Sequence, residues 1–181
     1  MSLFGAIHHF NTITKHRHKV ISHCFRAGIP WRGLMHDLSK YTPTEFWEGA
    51  NHWTGIRSPN EKAREENGYS LAWLHHQGRN RHHFEYWFDY SPAARRRVPI
   101  KMPLVFVLEM FCDRVAASKI YQGKRYTDRH PLDYFLRSKA TRVIHPETSD
   151  LLESWLVMLA EKGEKETFSY LRNLRKSHSK Y

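Results

Sequence analysis

The stretch Leu104 to Tyr121 sets the terms for the rest of the chain. Val105, Leu108, Phe111, Cys112, Val115 and Ala116 fall on more than one face of a helix. A helix that is apolar on several sides must be surrounded by other elements, so this one is the expected central helix of the fold. Yet it carries Glu109, Asp113 and Arg114. A carboxylate taken into a core is costly unless a cation or strong donors meet it. Asp113 therefore predicts such partners. Glu109, four residues earlier, faces the same way and is expected to act behind it.

The elements that would surround this helix also read as helices. No stretch shows sustained period-two alternation between hairpin turns, so the fold class is all-α. A first long helix is expected from Asn11 to Ala27, stopped by Gly28 and Pro30. Its stripe of Ile13, Val20, Ile21 and Cys24 places His16 closer to the core than His18. A short helix follows from Trp31 to Leu38. Thr42-Pro43-Thr44-Glu45 and Ser58-Pro59-Asn60-Glu61 read as capping boxes with proline at the first helical position, and Asn67-Gly68 closes the second helix. Further helices are expected over Ser70 to Gln77, after an N-cap at Ser91-Pro92, from Pro131, and over Asp150 to Glu161, where Gly163 breaks the pattern. Residues 165–181 read as a last helix fraying into a basic tail. With no repeat or linker, residues 1–181 form a single expected domain.

Net charge is +11 with histidine neutral. That balance favours anionic partners: phosphates, nucleic acid or an acidic surface. Cys24 and Cys112 alone cannot make a disulfide framework, which fits a reducing cytosol. The first residues lack the order of a signal peptide. The longest apolar run, Pro103 to Met110, is too short to span a bilayer and contains Glu109. The expectation is a soluble, cytoplasmic protein with no membrane partner.

The chain holds 14 histidines among 181 residues, several of them clustered. His36 and Asp37 stand side by side in Gly33-Leu34-Met35-His36-Asp37-Leu38-Ser39-Lys40. Taken in order, the inward candidates are His16, His36-Asp37, His76, His82-His83 and Asp113. Each comes from a different element or the end of one, which is how helical bundles build metal sites. Seven nitrogen and oxygen ligands exceed the needs of one ion and suffice for two sharing Asp37. Imidazole with carboxylate suits Mn, Fe, Co, Ni or Zn. His75 is an alternative to His76, or a donor that orients it.

This order of His, His-Asp, further His, then Asp resembles the HD superfamily of metal-dependent phosphohydrolases. His36-Asp37-Leu38-Ser39-Lys40 looks like the His-Asp-x-x-Lys segment of the HD-GYP phosphodiesterases, and His76, His82-His83 and Asp113 resemble the later ligands of that branch. Beyond His83 the chain reads Phe84-Glu85-Tyr86-Trp87, without the Asp-Gly-x-Gly-Tyr-Pro that HD-GYP proteins carry there. The chain also resembles, over most of its length, a small group of bacterial and phage proteins of unknown activity. The shared features are His16, the His36 to Lys40 segment and His76-x-x-x-Asn80-x-His82-His83-x-Glu85-Tyr86.

The resemblance implies an HD-type helical domain with a dinuclear centre between helices, bridged by Asp37, that hydrolyses a nucleotide or other small phosphoester with metal-activated hydroxide. Lys40 would sit by the substrate phosphate, with Arg79, Asn80 and Arg81 as further substrate-binding residues. Two other readings remain open. Some HD-type proteins are di-iron oxygenases. A basic helical protein could also bind nucleic acid without being an enzyme, although no recognisable nucleic-acid motif accompanies the charge. Arg95 to Arg97 and the basic tail read as solvated faces, and Tyr86 to Phe88 as core.

Overall fold

The computed structural model describes residues 3–178. Its helices are α1 (Leu3–Arg26), α2 (Pro30–Met35), α3 (Pro43–Asn51), α4 (Pro59–Asn67), α5 (Leu71–Gln77), α6 (Leu104–Gln122), α7 (His130–Arg137) and α8 (Pro146–Ser177). Two short strands, β1 (Phe88–Ser91) and β2 (Arg96–Pro99), form an antiparallel hairpin with Phe88 opposite Pro99 and Ser91 opposite Arg96.

The central helix is α6, as its composition requires. Val107 through Cys112 are buried without a break, and Val115 and Ala116 extend the buried surface. α1 and α8 pack against it. Phe111 meets Trp155 and Phe168 of α8 edge-on, with centroids 6.2 and 5.7 Å apart. Cys24 and Cys112 are both free and buried. α8 is interrupted at Gly163, whose φ of 76° and ψ of 174° only glycine adopts readily. The chain bends there, so that Leu152, Trp155 and Leu159 before the bend and Phe168 and Leu171 after it all reach the core. The last three residues of the expected basic tail lie outside the described residues. Among the described residues, no helix is long and apolar enough to cross a membrane.

Several expectations need correction. α1 begins at Leu3, well before Asn11. Its inward face continues through Gly5, Ala6 and His9, a small-residue and histidine surface that a count of large apolar residues passes over. Ser91-Pro92 starts no helix; it opens the turn between β1 and β2, and Arg96 and Arg97 lie on the second strand. The hairpin is four residues a side and mostly exposed, too short for alternation to register. Neither capping box forms. Thr42 and Ser58 sit at the N-caps of α3 and α4, but neither side chain caps its helix. The Thr42 hydroxyl instead donates to the Ser39 carbonyl at 2.6 Å, and Glu45 turns to another partner described below.

The close packing of α2 on α1 depends on Gly33. A Cβ there would lie 2.7 Å from Cys24 Cβ and 3.1 Å from Ile21 Cα. With no side chain at this position, the segment after α2 is drawn down onto α1, beside α6.

Candidate metal centre

His36 and Asp37 occupy the turn between α2 and a short 3-10 helix, Leu38–Tyr41. Arg17 of α1 fixes this turn by donating to the carbonyls of His36, at 3.1 Å, and of Leu34. Asp37 has a φ of 53°. Aspartate tolerates the left-handed region better than most residues but still at some strain, and such strain tends to persist where a side chain must be aimed. Here it aims both carboxylate oxygens into the protein, and Asp37 is 2% exposed.

Two groups of ligand-type atoms meet at this carboxylate. On one side, His36 Nε2 lies 3.2 Å from Asp37 Oδ2 and 3.8 Å from Asp113 Oδ1. His16 Nε2 lies 2.9 Å from the same Asp113 oxygen. On the other side, the Nε2 atoms of His76 and His82 each lie 3.4 Å from Asp37 Oδ1. His83 completes that group, whose ligand atoms all fall within 4.8 Å of one another. The helices explain the convergence. α1 supplies His16, α6 supplies Asp113, the end of α5 supplies His76, and the loop after α5 supplies His82 and His83.

These atoms do not satisfy one another as hydrogen-bond partners. Among the described residues, both oxygens of Asp37 and the Nε2 atoms of His16, His36, His82 and His83 are buried without a hydrogen bond. Buried polar atoms are rarely left so, and each needs a reason. Ligands held about 2.1 Å from a shared tetrahedral ion stand about 3.4 Å from one another. The separations of 3.2 to 3.8 Å around Asp37 fit that arrangement. The residues therefore form clusters able to hold a divalent metal ion.

The far sides of the imidazoles are held by carboxylates. Glu109, fully buried, accepts from His36 Nδ1 at 3.1 Å, and the same oxygen lies 3.3 Å from His82 Nδ1. Its other oxygen accepts from Arg32 Nε at 2.7 Å. His36, His82 and Glu109 also lie close enough to form a metal-sized cluster. Their contacts run through Nδ1, however, so Glu109 is better placed to hold the Nδ1 protons and leave both Nε2 lone pairs facing Asp37. Glu45 plays the corresponding part for α5. It accepts from His76 Nδ1 at 2.7 Å and from His75 Nδ1 at 2.6 Å. His75 is thereby turned away from the centre.

Protonation states agree with this division. Burial pushes the Asp37 carboxyl up, but the charges of His36, Lys40 and His76 outweigh it and hold it well below the usual range. Burial likewise opposes ionisation of Asp113, and His16, His36 and His82 overcome it. Glu109 is brought down to about 2 by its imidazole partners against the effect of burial. His16 and His83 are pushed down chiefly by burial and stay neutral. Ionised carboxylates and neutral imidazoles are the forms that bind metal. His36 is the exception: Asp37, Glu109 and Asp113 outweigh burial and raise it to about 10. Without a metal, its proton and the Lys40 ammonium offset the buried carboxylates.

Lys40 Nζ lies 2.6 Å from Asp37 Oδ2. It also lines a small cavity of about 80 Å³ together with His76. A second cavity of about 210 Å³ holds Lys15, Trp53 and Arg57. The two adjoin at Thr12, Pro59 and Tyr121, which line both. The two cavities lie side by side between α1, α4 and α6, the inner one reaching Lys40 and His76.

The expected substrate-binding residues after α5 are placed differently. The Asn80 amide donates to Ser39 Oγ and the His76 carbonyl, each at 2.8 Å. It braces the turn after Asp37 against α5, so its side chain is committed to the framework. The Arg81 guanidinium lies over Tyr86, 5.7 Å from the ring centroid. Arg79 is exposed. Neither arginine touches the centre among the described contacts; Lys40 does. Glu45 and Arg32 were not singled out by the sequence. The Glu45 spacing matched a helix cap, which concealed its partner more than thirty residues away, and nothing in the sequence pointed to Arg32.

The model of a family of unknown function, DUF5662, matches residues 5–158. The chain belongs to that family. The matched stretch of this DUF5662 chain includes every residue of the centre, both supporting glutamates and Lys40. No curated protein and no solved structure matches.

Proposed function

We propose that this DUF5662 chain is a metal-dependent phosphohydrolase of HD type, acting on a nucleotide or another small phosphoester. The observation that carries the reading is the convergence of the His36, His76 and His82 Nε2 atoms on Asp37, whose two oxygens, like Nε2 of His36 and His82, are buried without a hydrogen bond among the described residues, with an ammonium beside them. His16, His36 and Asp113 would hold one divalent ion and His76, His82 and His83 the other, with Asp37 common to both. Two such ions supply the Lewis acidity that phosphoester hydrolysis at neutral pH requires.

The chain's own residues do the rest. Glu109 and Glu45 keep protons on the Nδ1 atoms, so the Nε2 lone pairs stay directed inward. Lys40 binds a phosphate oxygen where the inner cavity reaches the centre, adding charge stabilisation as negative charge builds there. Trp53 and Tyr121 along the outer cavity give an apolar wall to the remainder of the substrate, and Lys15 adds a cation at its edge. Arg57 is already engaged with Glu65 through two bonds of 2.5 Å, so it shapes that wall more than it binds anions.

The test is to load purified protein with Mn, Fe, Co, Ni or Zn, measure metal per chain, and assay a panel of phosphomonoesters and phosphodiesters. Two ions per chain and hydrolysis are expected. Asp37→Ala should lose metal and activity together; Lys40→Ala should keep the metal and lose activity. A fully loaded protein inert across the panel overturns the reading. A requirement for iron and oxygen, with no turnover on Mn, transfers the site to di-iron oxygenase chemistry.

A further inference from the structure

One residue past Asp113 on α6, Arg114 turns to a different neighbour. Its guanidinium lies 5.9 Å from the Phe135 ring centroid, and Arg142 lies over the same ring at 4.3 Å. Arg142 is anchored along one edge: Nη2 donates to the Phe135 carbonyl at 2.8 Å and to Ser138 Oγ at 2.5 Å. Its Nη1 is buried and has no hydrogen-bond partner among the described residues, and the same holds for Arg114 Nε. Asp113 is the acid that acts most on Arg114, and Glu85 feels the charges of both Arg114 and Arg142 and, more weakly, Arg64. Glu85 Oε2 is also buried without a partner. Glu85 therefore does not bridge the two guanidinium groups.

Two guanidinium groups sharing one aromatic ring, each with an inward N–H left free, form an incomplete arrangement. Desolvated cations are strongly disfavoured unless an anion meets them. Their approach to the Phe135 ring does not use these N–H groups. What completes the arrangement is an oxyanion accepting from both arginines, and guanidinium geometry matches phosphate best.

We propose that Arg114 and Arg142 form an oxyanion site for a phosphate group, separate from the metal centre and supported by Phe135 and Ser138. It requires no metal and does not depend on the phosphohydrolase reading. Free phosphate and a phosphate carried on a larger ligand share this chemistry, and the two sources separate by experiment.

The test begins in EDTA, which removes the metal centre from consideration. Binding of inorganic phosphate is followed by equilibrium dialysis and by thermal shift, against sodium chloride at equal ionic strength. Saturable binding beyond the chloride control is expected. Arg142→Gln and Arg114→Gln should each weaken it about tenfold or more, as expected when one charge-assisted partner is lost. Arg95→Gln, at an exposed arginine in the hairpin turn, should leave it unchanged. Arg142→Lys, which keeps the charge but not the fork, should fall in between and guards against a folding artefact. The proposal is overturned if wild type shows no binding beyond chloride, if the Arg114 and Arg142 glutamine variants bind as wild type does, or if Arg95→Gln weakens binding as much as they do. A second arm compares phosphate with a nucleoside bisphosphate in Mn-loaded protein. A bisphosphate advantage lost in Arg142→Gln assigns the site to a ligand's second phosphate; equal binding assigns it to free phosphate.

Discussion

Glu109→Gln tests the centre at the point on which most of it depends. One oxygen of Glu109 faces His36 Nδ1 and His82 Nδ1, and the other accepts from Arg32 Nε. Glutamine keeps the shape but offers one acceptor and one donor. If its carbonyl faces the imidazoles, its amide points N–H groups at the Arg32 N–H. If it flips, its amide faces both Nδ1 atoms and drives their protons to Nε2, where they occlude the lone pairs directed at Asp37. Both orientations fail, because three donors converge on a side chain that accepts all of them only as a carboxylate. Loss of such a supporting partner weakens metal binding by about 10- to 100-fold, or about 1.4 to 2.7 kcal/mol. Because Glu109 backs one imidazole from each group, both ions should be affected. The assay is competition with a calibrated chelator, with circular dichroism to confirm folding. Folded Glu109→Gln protein that holds both ions within twofold of wild-type affinity would refute the reasoning.

Two predictions concern the scaffold. Gly33→Ala places a methyl group 2.7 Å from Cys24 Cβ, which must push α2 off α1; a loss of about 1–3 kcal/mol is expected in urea denaturation, together with weaker metal binding as the His36-Asp37 turn shifts. His23 is buried on the Cys112 carbonyl, and burial lowers it from 6.5 to about 4. Between those values the unfolded chain binds the proton and the folded chain does not, so stability falls as pH drops through that window, by up to about 3 kcal/mol. His23→Gln should remove that part of the acid sensitivity, and identical wild-type and variant stability profiles in EDTA would exclude it.

Much of the centre was legible because its ligands obey local rules. His16 is separated from His18 by helical phase alone: it sits one turn before Val20, and the structure buries it while leaving His18 exposed. Asp113 was marked by the contradiction of a carboxylate in an apolar helix, and Glu109 by lying one turn before it. The failures share a cause. Glu45 and Asn80 each have a plausible local use, as cap and loop residue, and each is taken by a tertiary partner instead. Short-range spacing cannot rank a cap against a buried imidazole more than thirty residues away. The β1–β2 hairpin escaped for a different reason: with little to bury, its sequence carries no alternation.

The two halves of the centre rest on unequal supports, and this gives a last prediction. His16 and Asp113 project from α1 and α6, which are anchored by Val20, Cys24, Cys112 and Val115, all fully buried. His76 ends the seven-residue α5, whose Leu71 and Leu74 are exposed, and His82 and His83 follow in a loop. Solvent access alone would favour loss of the first ion, since the Asp113 side chain is 18% exposed and that of His82 is 1% exposed. Removing an ion, however, requires several ligands to open together, and short helices and loops open at lower free energy than a packed core. Opening should therefore win, and a chelator should strip the His76–His82–His83 ion first. A difference of about 1.4 kcal/mol in opening free energy would separate the phases tenfold. Glu45→Gln, which among the candidate ligands loosens only His76, should speed the fast phase and leave the slow one unchanged. If both ions leave in one phase, or Glu45→Gln accelerates both equally, then Asp37 binds the halves into one cooperative unit and the unequal scaffold does not govern exchange.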